Sequence, residues 1–130
     1  MGSDIEKYHD GLSAEDRVIC EALATTISQQ LPEAESKVWH GHPVWFLDGN
    51  PVVGYHRLKP GLRVLFWSGQ SFPTPGLTPN GSFKAADFQP KSVDELATLP
   101  LAAWLEECRA VQWDYKNIMK NKGLVKLTSF

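Results

Sequence analysis

The chain has 130 residues, 42% of them apolar and 22% charged, and 13 basic against 15 acidic side chains leave a net charge of −2. That length makes about one ordinary domain with enough apolar material for a core, and the near balance of charge excludes the strongly basic surface on which non-specific duplex binding depends, so no nucleic-acid partner is expected. Five tryptophans, six phenylalanines and three tyrosines are too many aromatics for a disordered chain; they need a core or a ligand.

No apolar run approaches the roughly 20 residues that span a bilayer, and residues 1–10 lack the basic start and hydrophobic stretch of an export signal. A cytoplasmic protein without a membrane partner is the expectation. Ser13 followed by Asp16 has the spacing of a capping box. From there Ile19, Leu23, Ile27 and Leu31 recur at three-to-four spacing, with Val18 and Ala22 beside them, predicting a helix that ends near Leu31 before Pro32. Beyond Lys37 the period changes. Val38-Trp39, Val44-Trp45-Phe46, Val52 to Tyr55 and Leu62 to Trp67 read as strands, joined by compact turns at 48–51 and 59–61, and therefore as an antiparallel meander. A weaker fifth strand covers 82–89. Between Ser68 and Ser82, three prolines and several glycines predict a long loop, either functional or simply disordered.

Ser92 and Glu95 form a second capping box for a short helix ending near Leu99. Pro100 suits the first turn of another, predicted to run about five turns from Leu101 to Met119 with Gly123 as its stop. The expected architecture is α+β: an N-terminal helix, an antiparallel meander of about five strands, and C-terminal helices on one sheet face. It spans residues 1–130 as a single domain, with an ordered core of about 13–120. Cys20 and Cys108 lie in no CxxC pattern and fall inside the predicted helices, so buried reduced thiols are expected. Residues 1–35 carry two basic and eight acidic side chains and residues 109–130 five basic and one acidic. Opposite signs favour adjacent first and last helices, and a partner-binding basic tail is the alternative.

The densest chemistry lies in Trp39-His40-Gly41-His42-Pro43-Val44-Trp45. In extended backbone His40 and His42 share a face about 7 Å apart at Cα, within reach of one metal ion, iron or another divalent metal. A metal site wants three or four ligands, and a bend at Gly41 and Pro43 with both imidazoles bonded to nearby backbone is the competing possibility. Trp39, Trp45, Tyr55 and Trp67 fall on successive strands. They form either core or one aromatic cluster that holds a flat or apolar ligand, rimmed by His40, His42, His56, Arg57, Gln70 and Ser71. No GxSxG elbow, phosphate loop, HExxH or deaminase signature is present.

Lys37-Val38-Trp39-His40-Gly41-His42-Pro43-Val44-Trp45, with Leu31-Pro32-Glu33-Ala34, Asn50-Pro51-Val52-Val53-Gly54-Tyr55 and Leu65-Phe66-Trp67-Ser68-Gly69, resembles the YdhG-like bacterial family of unknown function over roughly residues 15–120. The family's first hairpin usually reads Trp-Gly-x-Pro; here His40 is inserted between Trp39 and Gly41. The resemblance implies a small domain of helices and mostly antiparallel sheet. Because some relatives are described as frataxin-like iron chaperones, it also implies weak iron holding by surface carboxylates, for which Asp10, Glu15, Asp16 and Glu21 are candidates.

Three functions follow as expectations. The first is a cytosolic small-ligand or partner binding domain without evident catalytic machinery, using Trp39, His40, His42, Trp45, Tyr55, His56, Trp67 and Gln70. The second is metal delivery through His40 and His42 or the acidic helix. The third is an unrecognised hydrolase or transferase with His42 or His56 as base. A flat aromatic sheet also makes a homodimer an open alternative.

Overall fold

A computed structural model describes residues 3–81, 83–118 and 120–127. Helix α1 (Ser3–Asp10) precedes α2 (Ala14–Gln30). The strands β1 (Glu35–Trp39), β2 (His42–Leu47), β3 (Asn50–Leu58) and β4 (Gly61–Phe66) follow, then the short β5 (Thr78–Pro79) and β6 (Ala86–Phe88), and finally α3 (Val93–Thr98) and α4 (Leu101–Ala110). The sheet order is β1-β2-β3-β4-β6-β5, and every pairing is antiparallel. The α+β layout therefore stands as expected, with six strands. The sixth is the two-residue β5 inside the predicted loop, which also holds a 3-10 turn at Gly69–Ser71.

Local signals set most boundaries. The Ser13 hydroxyl accepts from the Asp16 N–H and the Ser92 hydroxyl from the Glu95 N–H, so both predicted caps form. The Asp16 carboxylate does not complete its box but pairs with Arg57 at 2.9 Å. The β1–β2 and β2–β3 connections are two-residue turns, His40-Gly41 and Asp48-Gly49, in which both residues have positive φ, the conformation that matches strand twist.

Two segments differ from expectation. Helix α1 lies before the expected ordered core because its own sequence is mostly polar; contacts made across the chain hold it. Ile5 and His9 are buried, Asp4 accepts from the Val38 N–H at 2.7 Å, and the Tyr8 hydroxyl accepts from the Arg57 N–H at 2.9 Å. The last helix stops at Ala110 instead of continuing toward Met119, a residue outside those described. Beyond Val111 the backbone is captured by tertiary bonds: the Trp113 N–H donates to Ser68 Oγ, the Asn50 amide donates to Trp113 O, and Trp113 bridges to Lys126. Such bonds override a helical apolar period. The expected helix stop at Gly123 accordingly falls in a bend.

All four helices among the described residues cover one face of the sheet. Antiparallel partners share a face, and the sets Trp45, Val53, Phe66 and Tyr55, Val64, Phe88 pack with Leu23, Ile27, Trp104 and Leu105 in one core. Trp104 stands at its centre, fully buried, against Phe66 and Phe88, and its Nε1 donates to Thr74 O. Cys20 and Cys108 are unpaired and buried as expected; burial pushes the Cys20 thiol up to about 12 and the Cys108 thiol up as well, so neither serves as a thiolate near neutral pH. Of the two charge blocks, only the end of α4 meets the N-terminal region through an ion pair among the described residues. There Arg109 binds Glu33 through two nitrogens and donates to Gln30 O, and this guanidinium lowers the Glu33 carboxyl to about 2. No described helix is long and apolar enough to cross a membrane.

Candidate functional site

Strand alternation divides the expected aromatic cluster between two faces. Trp45 and Tyr55 are each 1% exposed and point under the helices, where Trp45 Nε1 donates to Ser28 Oγ and the Tyr55 hydroxyl bonds His9 Nε2 at 2.6 Å. Burial, reinforced by the nearby Cys20, Tyr8 and Glu21, pushes the Tyr55 phenol well above its ordinary range. Neither residue can reach a ligand on the open face, which corrects their assignment to it. Their parity carried the signal: in β2, Trp45 alternates against His42 and Val44, and in β3, Tyr55 alternates against His56.

The opposite, helix-free face carries Trp39, His42, Phe46, His56 and Trp67. Trp39 and Trp67 are partly exposed, with ring centroids 6.3 Å apart, and Phe46 meets Trp39 edge-on at 5.4 Å. Lys37 Nζ lies 5.1 Å from the Phe46 ring centroid, at cation–π range. Val44, paired between Lys37 and Gly54 on this face, is fully buried although it lies outside the helix-side core. Gly54 is needed here, because a Cβ on it would fall 2.6 Å from Pro43 O.

His40 and His42 do not form the expected ligand pair. His40 sits in the hairpin turn at φ 52° rather than in extended backbone, exposed, with its ring 4.2 Å from that of Trp39. His42 instead stacks on His56, with centroids 4.6 Å apart and planes 18° from parallel. Nearly parallel rings direct their in-plane lone pairs side by side rather than toward one ion. Among the described residues no group of three or more His, Cys, Asp or Glu side chains is placed to hold a metal. Burial lowers both imidazoles below their ordinary pKa, reinforced for His42 by His56 and for His56 by Arg63, so the pair is neutral at pH 7. His42 Nδ1 is buried and has no hydrogen-bond partner among the described residues. Gln70 lies off this surface: its N–H donates to Lys84 O and its side chain to Ala85 O, clamping the 3-10 turn to the approach of β6.

A second feature has no counterpart among the sequence expectations. Where α4 ends, the chain turns over the β2–β3 hairpin and leaves a cleft of about 470 Å³ lined by Glu33, Asp48, Arg109, Gln112, Asp114 and Lys116, among others. Asn50 anchors its wall, donating to Gln112 Oε1 and Trp113 O and accepting from the Lys116 N–H. The periodicity that predicted one long helix hid this cleft, since a continued helix would have carried residues 112–117 away from the hairpin. No protein-family model, curated protein or solved structure matches the chain.

Proposed function

We propose that the chain is a small-ligand or partner binding domain of YdhG-like type, cytoplasmic and without catalytic machinery, that works through the helix-free face of its sheet. The observation that carries this reading is the Trp39–Trp67 pair, two large rings in contact and partly exposed on a face that no helix covers. Such rings supply a broad apolar contact at small conformational cost and favour a planar partner that stacks. The neutral His42–His56 pair extends the flat surface.

Native mass spectrometry of the protein isolated from its own cells tests the reading. The wild type is expected to carry an organic adduct or a partner that the Trp39→Ala/Trp67→Ala double variant loses while its amide spectrum stays native. An adduct retained unchanged by the double variant contradicts it.

A further inference from the structure

The cleft beyond α4 lies apart from the aromatic face, and its chemistry differs. Its volume of about 470 Å³ falls within the range of small-molecule sites. Its charged lining divides into a satisfied wall and an unsatisfied one. Arg109 is held by Glu33, Glu106 and Gln30 O, so its charge is matched by carboxylates of the chain itself. On the hairpin side, Lys116 Nζ spends one donor on Asp48 O at 3.1 Å, leaving two N–H groups of the ammonium. The Asp48 carboxylate forms no ion pair among the described residues. Gln112 is only 4% exposed; its Oε1 is taken by Asn50, whereas its Nε2 has no partner among the described residues.

We propose that this cleft is a binding site for a small zwitterion of amino-acid size, whose carboxylate takes Lys116 Nζ and Gln112 Nε2 and whose ammonium takes Asp48, with Asp114 close by. A ligand with one charge satisfies half of this arrangement and leaves the other half without a partner.

Two-dimensional amide NMR of the full chain, titrated with L-alanine, L-leucine and L-aspartate and in parallel with butyrate and butylamine, tests the assignment. Saturable shifts are expected at the Gln112 side-chain amide and at Lys116 and Asn117, with the zwitterions binding at least about tenfold more tightly than either singly charged analogue. Lys116→Met keeps the aliphatic stem that packs on Gly49, and Asp48→Asn tolerates the left-handed turn. Each is expected to weaken zwitterion binding about tenfold while leaving the spectrum of the core unchanged. Absence of shifts with every probe, or butyrate or butylamine binding as well as the amino acids, overturns the proposal.

Discussion

His9 Nε2 and the Tyr55 hydroxyl lie 2.6 Å apart beneath α1, joining the first helix to the middle of the sheet through two buried side chains. His9 is lowered from the ordinary imidazole value of 6.5, mainly by burial, and His42 and His56 move the same way for the same leading reason. As pH falls, the unfolded chain takes up these protons first. The stability they contribute is complete above about pH 6.5 and is lost as pH drops below it, levelling off under the folded-state values. The urea midpoint is therefore expected to fall between about pH 7.5 and pH 5.5, and His9→Gln is expected to reduce that slope. A midpoint flat across the range contradicts the burial of these imidazoles.

Trp104 fills the centre of the core, and Gly76 lets the loop pass against it at φ 120°, where a Cβ would lie 2.9 Å from Trp104 Cζ2. Trp104→Ala is expected to destabilise by about 3–5 kcal/mol. Gly76→Ala, which adds one methyl, should cost about 1–3 kcal/mol through backbone strain and the clash. Chemical denaturation reads both. A neutral Gly76→Ala would mean that the loop does not pack on the ring.

Asn50 satisfies three groups of the segment after α4 with one buried amide. Its replacement by Ala is expected to cost about 2–3 kcal/mol and to speed amide exchange at Trp113 and Lys116 while α2 stays protected. Uniform acceleration across the chain would show that the segment is not a separately anchored unit.

The Ser13 and Ser92 caps each satisfy one helix N–H, so Ser13→Ala and Ser92→Ala should each lower stability by about 1 kcal/mol. Losses near zero in both would mean that water serves these helix ends equally well.

The elements that could be read from sequence are those whose signals are local. Ser13 and Ser92 announced helix starts, and Asp48-Gly49 announced a hairpin. Alternation in β2 to β4 announced strands. Helix α1 was hidden because its docking depends on Asp4 reaching Val38 and Tyr8 reaching Arg57, contacts across more than thirty residues. The end of α4 was misread because Val111, Tyr115 and Ile118 keep a helical period while Asn50 and Ser68 take the backbone elsewhere. In the site, Trp39, His42, His56 and Trp67 do share the open face. Trp45 and Tyr55 belong to the core, and the two-residue alternation of a strand separates them from His42 and His56. His40 leaves the extended backbone because it and Gly41 form the turn, in line with the alternative of a bend at Gly41. The cleft at Gln112 and Lys116 depends on that same misread helix end and could not be seen without it.

On the proposed reading the helix-free face recognises a ligand while the helix side only holds the fold. Nitrogen-15 spectra of the five indole N–H groups, recorded during titration with planar heteroaromatic fragments, test it most directly. Saturating shifts are expected at Trp39 and Trp67, with Trp45 and Trp104 unmoved. Shifts at Trp45 or Trp104 with Trp39 and Trp67 silent, or no shift at any indole, would contradict it.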